Sequence, residues 1–333
     1  MTNTTSLFTI KNVKGPVTVI GGANMDINGF SRDPLNMEDS NPGTVEYCPG
    51  GVGRNIAENL YRLGAEVRFI SVIGDDPGGQ LLKTSSAQMG LNIEHSLFIE
   101  NPEHVTSVYI ALMDSNGEMK LALADMEILE QITVEHLESK AGIIKESAIV
   151  VLDANLPDQI IRFLLDRFGS SKGFPGSFPS QGPLFFYDGV SARKAPRAAS
   201  CIGSFDTLKL GNMEAAVLSG IPLSNYEFQE KLKETADWFI SQGTRRVFVT
   251  LGKEGVYTAC PGKCFFTPVR YLPPVNTSGG GDAFTAGIVY GTLQNWDEET
   301  IVYFSLAMAG ITVQSKFTVS PEMSLELVQK SMV

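Results

Sequence analysis

The sequence is poor in cysteine, in histidine and in positive charge, and each shortage excludes a class of protein. It has 4 Cys and 3 His in 333 residues, too few for a scaffold held by disulfides. Cys260 and Cys264 are spaced loosely like metal ligands, but no second Cys or His pair lies near them, which disfavours a structural zinc. Asp and Glu outnumber Lys and Arg by 37 to 26, a net charge of −11, which disfavours nonspecific binding to nucleic acid.

Long apolar runs are also missing. No run approaches the roughly 20 residues that span a bilayer, so we expect no membrane partner. Residues 1–15 lack the basic start and apolar run of a secretory signal, and they contain no Arg, which argues against a transit peptide. These features predict a protein of the reducing cytoplasm.

What is present is an alternation of short β-branched runs with helical patterns. The run from Val17 to Gly22 ends in glycines, as buried parallel strands do. Similar runs recur along the chain, and most are followed by a helix. This alternation predicts an α/β protein with a parallel sheet covered by helices on both faces. A stretch rich in Gly, Ser and Pro at 169–183 is predicted to be a surface loop.

Two segments do not fit that layered pattern. The first, around residues 27–48, is polar and contains Pro34 and Pro42. The second, around 103–125, has two alternating runs joined by Asn116-Gly117, a strong hairpin signal. We interpret both as excursions that form one small β-sheet lid. The predicted organisation is a core of 16–26, 49–102 and 126–333, a lid of 27–48 and 103–125, and an N-terminal extension of 1–15.

The most informative segment is NTSGGGDAFTAG, from Asn276 to Gly287. Its three consecutive glycines let the backbone approach a ligand closely, and their N–H groups precede a predicted helix, where anions bind. The next residue, Asp282, would repel a simple phosphate. It suits a base that takes a proton from a hydroxyl while the N–H groups hold the developing negative charge. The alternative is a tight loop in which Asp282 caps the helix, and the segment alone favours neither.

A second glycine-rich segment, PGGVGRNIAENL from Pro49 to Leu60, also precedes a helix. It resembles a dinucleotide fingerprint but lacks the G-x-G-x-x-G spacing and does not directly follow the first strand. Asn55 on the first predicted turn could direct its amide at a sugar hydroxyl, or it could cap the helix.

Together these segments resemble the two signatures of the PfkB family of carbohydrate kinases, which share the ribokinase fold. The range 50–55 matches the first signature and 277–287 matches the second. The stretches GGANMD, VIGDDPGG, FYDGVSARKA and VTLGKEGVY, with the final helix pair, extend the resemblance over nearly the whole chain. It implies a three-layer α/β/α ribokinase-like fold with a small β-sheet lid, and an ATP-dependent kinase.

The resemblance also implies a role for particular residues. Asp282 would deprotonate the acceptor hydroxyl. The anion hole for the transferred phosphoryl group would be formed by Gly279, Gly280 and Gly281. The sugar would be held by Asn24, Asp26, Gly50, Gly51 and Asn55, and a carboxylate suits a diol because it accepts two hydrogen bonds. ATP would be flanked by Thr250, Gly252 and Gly255, with Mg²⁺ on its phosphates, bound largely through water. The lid would exclude water, and a homodimer through the lid is expected.

Two positions depart from the family pattern. The family often has Asn-x-x-Glu before a short helix, linked to Mg²⁺, and here the same positions run from Gly211 to Glu214. Metal handling would then depend on Glu214 and water. The second departure is Asn276, where many members have an Asp that helps to hold a monovalent cation. Asn keeps a carbonyl oxygen without the charge, so we expect weaker activation by K⁺.

Within the family, NPGTVEYCPGGVGRNIAENL, VLDANLP and the stretch 125–128 look most like pseudouridine kinases, which act on the 5′-hydroxyl of that nucleoside. The alternative is a kinase for another nucleoside or for ribose, because a few hydrogen bonds in the base pocket determine which acceptor is bound. The candidate residues for that pocket are 41–47 and 125–128. From a different class, a non-catalytic sugar-binding regulator is favoured by Gly211 and disfavoured by Asp282 and the glycines. A nicotinamide-dependent dehydrogenase is disfavoured by the glycine spacing.

Overall fold

The computed structural model describes residues 13–169, 182–223, 228–270 and 273–332. Most of the predicted N-terminal extension, 1–15, and of the predicted loop, 169–183, lies outside these ranges. The strands of the described residues are Val17–Ile20 (β1), Asn24–Ser31 (β2), Gly43–Gly50 (β3), Val67–Ile70 (β4), Val72–Gly74 (β5), Leu97–Ile99 (β6), Val108–Met113 (β7), Met119–Asp125 (β8), Ile149–Asp153 (β9), Leu184–Asp188 (β10), Thr207–Gly211 (β11), Arg246–Thr250 (β12), Gly255–Cys260 (β13) and Lys263–Pro268 (β14).

The helices surround these strands. They are Val52–Arg62 (α1), Pro77–Met89 (α2), Val134–Ser139 (α3), Ala141–Glu146 (α4), Asp158–Phe168 (α5), Asn212–Ser219 (α6), Phe228–Ser241 (α7), Gly280–Leu293 (α8), Glu298–Val313 (α9) and Leu325–Ser331 (α10). None of the helices in the described ranges combines the length and apolar character that crossing a bilayer requires.

Eight strands form the central sheet, in the order β14-β13-β12-β11-β10-β9-β1-β4. All neighbours from β4 to β12 pair in parallel, while β13 and β14 extend the edge as an antiparallel hairpin. The strand runs VTVI and IVVLD are buried throughout, as expected for strands covered on both faces. The mostly parallel sheet predicted from the sequence is confirmed.

Two separate apolar cores lie on the two faces of this sheet. One contains side chains of α5, α6 and α7, together with those of α3 and α4. The other contains side chains of α1, α8, α9 and α10. Close packing of α8 on α9 depends on glycine, since a Cβ at Gly287 would lie 2.5 Å from the Ser305 Oγ. The molecule therefore has the three α/β/α layers that the alternation predicts.

A second sheet of four strands, in the order β3-β2-β7-β8, stands apart from the first. Strands β7 and β8 form the antiparallel hairpin predicted at Asn116-Gly117. Strand β2 begins four residues after the end of β1, and β3 ends two residues before α1 begins. The small sheet is thus joined to the central sheet at the carboxyl end of β1, where ligands bind in open α/β folds.

Candidate active site

The carboxyl ends of the parallel strands bring buried charges to one edge of the central sheet. Asp153 ends β9, Asp188 ends β10, and Lys209, the middle residue of β11, pairs in register with Asp188. All three residues are buried. The Asp153 carboxylate accepts hydrogen bonds from the backbone N–H groups of Gly22 and Asn155, both at 2.8 Å. This edge is therefore acidic and stabilised by backbone donors.

Helix α1 starts against the turn that follows β1. Its N-cap, Gly51, has a φ of 101°, and a Cβ there would lie 2.5 Å from the Gly22 carbonyl oxygen. The Arg54 N–H donates to that same carbonyl at 3.0 Å. Only glycine tolerates both the positive φ and the close approach. The approach fixes the first turn of α1, with buried Asn55, at the acidic edge.

Helix α8 starts from the second glycine-rich segment. Its N-cap is Gly279, with a φ of 80°, and a Cβ there would lie 1.9 Å from the Thr318 carbonyl oxygen. No side chain caps this helix. Within the described ranges, the N–H groups of Gly280 and Gly281 have no protein acceptor. Unpaired donors at the positive end of a helix dipole form an anion site.

The two glycine-rich segments meet through one hydrogen bond. The Asn55 Nδ2 donates to the Asp282 Oδ2 at 2.8 Å. Asp282 is the third residue of α8, and the helix takes its cap from Gly279 instead. The alternative interpretation of Asp282 as a helix cap is therefore wrong, because its carboxylate points across to α1 rather than back onto its own helix.

The surroundings of Asp282 raise its pKa toward neutrality. Its pKa is raised to about 7, first by burial and then by the Asp188 carboxylate, while the hydrogen bond from Asn55 and the charge of Lys209 partly offset the increase. A carboxylate with a pKa near neutrality can both accept a proton and release it under ordinary conditions.

Asn24 and Asp26 lie at the start of β2, beside the same edge. The Asn24 Nδ2 donates to the Asp26 Oδ1 at 2.6 Å, and both residues are buried. The carboxylate of Asp26 lies against Gly50, where a Cβ would come within 2.2 Å of Oδ2. Burial raises the pKa of Asp26 to about 6, against the lowering effects of Asn24 and Arg54. At pH 7 it is mostly ionised and can accept hydrogen bonds from hydroxyls.

A cavity of about 270 Å³ adjoins the start of α8. Its lining includes the predicted nucleotide-binding residues Thr250, Gly252 and Gly255, together with Gly280 and Gly281. Apolar side chains such as Val269, after β14, and Val313, at the end of α9, line the same cavity. Glycines and apolar side chains in one cavity would suit a phosphate chain with an attached base.

Glu214 lies beside this edge but is held by its own helix. The Gly211 N–H donates to the Glu214 Oε2 at 2.5 Å, and a Cβ on Gly211 would come within 3.0 Å of the Oε1. No group of three His, Cys, Asp or Glu in the described part of the chain could hold a metal by itself. Glu214 and Asp188 lie together beside Lys209, and carboxylate oxygens of this kind would suit Mg²⁺ carried by ATP.

Asn276 is the residue for which the resemblance predicted a weakened monovalent-cation site. Its Nδ2 donates to the Lys316 carbonyl at 3.1 Å, and its Oδ1 accepts from the Ser278 N–H at 2.9 Å. Both polar atoms of the Asn276 amide therefore have protein partners. Weak activation by K⁺ stays a prediction from the sequence.

Several site residues escaped the sequence interpretation. Asp153 and Asp188 end apolar strand runs, and Lys209 interrupts one, so a charge within or closing a buried strand was the available signal. Arg54 is buried beside Asp26. Arg54 lies within the first signature, 50–55, but the sequence alone predicts no role for it.

The base-pocket candidates are divided, since Glu46 shares the Asp26 face of the small sheet whereas three others do not. Asp26 pairs with Cys48 and Tyr109 across the small sheet, so Tyr47 faces the opposite side. The Asn41 side chain donates to backbone carbonyls of its own loop. Ile128 is buried in the core below the central sheet.

A carboxylate with a raised pKa beside an anion site that lines a cavity suits the transfer of a phosphoryl group to a hydroxyl. The fold and the site together define the class as a sugar or nucleoside kinase. The model of the pfkB family carbohydrate kinases matches residues 15–324, and the chain belongs to this family.

Comparison with individual proteins agrees with this assignment. The chain is 33% identical over 313 residues to the pseudouridine kinase of Escherichia coli strain K12, covering 94% of this chain and 95% of that one. It is 26% identical to the guanosine-inosine kinase of Exiguobacterium acetylicum, covering 90% and 94%. The structure of Arabidopsis thaliana ribokinase with ribose and ATP superposes with a TM-score of 0.78 at 22% identity, covering 96% and 98%. The fold is thus ribokinase-like, as predicted.

Proposed function

We propose that this kinase transfers the γ-phosphoryl group of ATP to the 5′-hydroxyl of pseudouridine. The observation that carries the proposal is the 2.8 Å hydrogen bond between Asn55 and Asp282. It holds the carboxylate of Asp282 between α1 and the glycine N–H groups that line the proposed nucleotide cavity. The 33% identity to a pseudouridine kinase over nearly the whole chain supports this choice of acceptor.

In the proposed reaction, the Asp282 carboxylate accepts the proton of the 5′-hydroxyl. The hydroxyl oxygen forms a bond to the γ-phosphorus as the bond from that phosphorus to the ADP oxygen breaks. The N–H groups of Gly280 and Gly281 donate to the phosphoryl oxygens, where negative charge develops. Mg²⁺ bound to ATP would neutralise part of the phosphate charge. The proton then leaves Asp282 for solvent.

The sugar is oriented by the start of β2. The Asp26 carboxylate accepts hydrogen bonds from two ribose hydroxyls, and Asn24 fixes its orientation through the 2.6 Å bond. Gly50 leaves the room that the carboxylate needs. The small sheet covers this pocket and excludes water, which protects ATP from hydrolysis.

Recognition of the base would come from the face of the small sheet that carries Asp26. Asn28 pairs with Glu46 across β2 and β3, and Tyr109 pairs with Asp26 across β2 and β7, so all four share one face. In uridine one ring nitrogen is bonded to the ribose. In pseudouridine a ring carbon makes that bond, so the same nitrogen carries a hydrogen and can donate a hydrogen bond. The acceptor oxygens of Glu46 and Asn28 are the groups suited to bind that extra donor.

ADP release from MgATP tests the acceptor. Pseudouridine, uridine, adenosine, ribose and fructose are supplied one at a time at equal concentration. We expect pseudouridine to give the highest kcat/KM. Faster turnover of another acceptor would retain the kinase and refute the substrate. Binding of a nucleoside without turnover of any acceptor would favour a non-catalytic regulator.

A second proposal is that two copies associate through the small sheet, on the face opposite Asp26. Pairing places the side chains of Val45, Tyr47, Ile110, Leu112, Leu121 and Leu123 on that face. Leu121 and Leu123 are 53% and 65% exposed, and an exposed apolar patch of this kind marks an interface. We expect a dimer by light scattering and a monomer for Leu121→Glu/Leu123→Glu. A monomeric wild type would refute the proposal.

A further inference from the structure

Lys209 is a lysine in the middle of a buried strand. It lies in β11, between Leu208 and Leu210, and is 8% exposed. Lysine is almost never buried to this degree without a partner, because removing its charge from water is costly. The neighbouring leucines face an apolar core, while the lysine faces the acidic edge.

One partner is Asp188. The Lys209 Nζ lies 3.3 Å from the Asp188 Oδ2, an oxygen that also accepts a hydrogen bond from the Thr285 Oγ1 at 2.6 Å. Asp188 is the only ion-pair partner of Lys209 in the described ranges. An ammonium has three donors, so the one carboxylate leaves donors over for a ligand.

The charge of Lys209 is maintained by its surroundings. Burial lowers its pKa, but the carboxylates of Asp188, Glu214 and Asp282 outweigh that effect and raise the pKa above its ordinary value. The side chain is therefore an ammonium at every pH at which the enzyme works. It is the cation that offsets three nearby carboxylates.

The position of the ammonium relative to the anion site is close. A Cβ built on Gly281 would lie 2.9 Å from the Lys209 Nζ. Gly281 supplies one of the unpaired N–H groups at the start of α8. A phosphoryl group bound there also faces the carboxylate of Asp282, which repels it. A cation at this point offsets that repulsion while the base stays ionised.

We propose that Lys209 is a catalytic residue that donates hydrogen bonds to the phosphoryl group as it passes from ATP to the acceptor. The proposal rests on the kinase reaction proposed above. Charge spreads over the phosphoryl oxygens in the transition state, so a preorganised ammonium at Gly281 binds that state more tightly than the ground state. A lysine that only neutralised the charge of Asp188 would contribute equally to the binding of the ground state and of the transition state.

The test is Lys209→Met, with Arg246→Met as its matched control. Arg246 is also a buried cation of the central sheet, 6% exposed, but its guanidinium bonds Thr207 and Thr292 near the opposite edge. We expect Lys209→Met to lower kcat by about 10²–10³-fold. Arg246→Met should lose comparable thermal stability and keep kcat within about threefold. Retention of kcat in Lys209→Met, or an equal loss in both variants, would overturn the proposal.

A binding measurement separates a catalytic from a structural role. ADP with aluminium fluoride mimics the phosphoryl group in transfer. In the presence of pseudouridine, Lys209→Met should bind this complex about 100-fold more weakly than the wild type and bind ADP alone equally well. Equal weakening of both ligands would make Lys209 structural and refute its catalytic role.

A double variant tests the same role if Lys209→Met does not fold. Lys209→Met/Asp188→Asn removes both charges, which is often tolerated better than removing one. We expect this double variant to turn over about 100-fold more slowly than Asp188→Asn alone, and equal rates would refute the role. If the wild type phosphorylates no acceptor, the proposed function fails and this inference falls with it. If the wild type phosphorylates pseudouridine but the Lys209 variants keep their turnover, the role of Lys209 is refuted and the kinase assignment remains.

Discussion

Helices α1 and α8 begin alike and are used differently. Each starts at a glycine with positive φ, Gly51 or Gly279, and neither has a side-chain cap. In α1, the Arg54 N–H is taken up by the Gly22 carbonyl, so the helix end is packed against the protein. In α8, Asp282 stands in the first turn beside N–H groups with no protein acceptor in the described part of the chain. Glycine supplies only space, and its neighbours decide whether that space serves packing or chemistry.

Removing the charge that distinguishes α8 should have the largest effect. We expect Asp282→Asn to bind nucleoside and ATP normally and to lose about 10³-fold or more in kcat, because only a role in the transition state is removed. Asp297→Asn is the matched control. Asp297 caps α9 through Thr300, and Asn caps a helix about as well as Asp, so this variant should lose only about 0.5 kcal/mol of stability from the missing charge and keep its turnover. Near-normal kcat in Asp282→Asn would refute the base.

The same variant should change how stability depends on pH. The native pKa of Asp282 is raised to about 7 from 3.8, chiefly by burial. The folded protein therefore holds a proton that the unfolded chain has released, and stability decreases as pH rises from about 4 to 7. Asp282→Asn lacks this loss. Its advantage in melting temperature over the wild type should grow through that range and then level off, whereas a constant difference would contradict the raised pKa.

Replacing each of the two N-cap glycines with alanine should have the next largest effects, and the two variants should affect different substrates. Gly279→Ala forces a Cβ to within 1.9 Å of the Thr318 carbonyl, and Gly51→Ala forces one to within 2.5 Å of Gly22. We expect Gly279→Ala to lower kcat/KM for ATP about 100-fold, and Gly51→Ala to act mainly on the sugar substrate. Gly64→Ala has a positive φ but open space around it, so it should cost about 1 kcal/mol and leave both constants unchanged. If Gly279→Ala and Gly51→Ala changed kcat/KM for ATP and for the sugar substrate in the same way, the two helix starts would not serve different substrates.

The contact that joins the helices should affect the pH profile. The Asn55 amide lowers the pKa of Asp282, and turnover requires the ionised carboxylate. Asn55→Leu should therefore move the acid limb of kcat/KM to higher pH by about one unit, since a hydrogen bond to a charged group contributes about 1.5 kcal/mol or more. The limb is measured from pH 5 to 9. A shift to lower pH, or none, would show that Asn55 does not act on the base.

The smallest expected effect concerns the loop before α8. The Asn276 amide donates to the Lys316 carbonyl, whereas a carboxylate there would need a cation between the two oxygens. We expect the wild type to respond little to K⁺, and Asn276→Asp to gain a few-fold stimulation over Na⁺-free, K⁺-free buffer. Strong K⁺ stimulation of the wild type would contradict this account.

Much of the fold could be predicted because its signals are local. Buried β-branched runs predicted the parallel strands, and Asn116-Gly117 predicted the β7–β8 hairpin, which the structure confirms. Both depend on residues adjacent in the chain, where periodicity and turn chemistry act.

The electrostatics of the site could not be predicted, because they depend on distance in space. Asn55 and Asp282 lie 227 positions apart in the chain yet share a hydrogen bond. Lys209 reads as an isolated charge in a strand until folding places it beside Asp188 and Gly281. Likewise, only strand register shows that Tyr47 faces away from Asp26.

The decisive measurement is the position of the phosphate on the product. In the proposed arrangement, the 5′-hydroxyl lies beside the carboxylate of Asp282 on α8, while β2 and α1 hold the sugar. Phosphorus–proton correlation on the product of pseudouridine and MgATP should show coupling of the phosphorus to the two 5′ protons. Coupling to a single ring proton at the 2′ or 3′ position would contradict the proposed arrangement of the two helix ends.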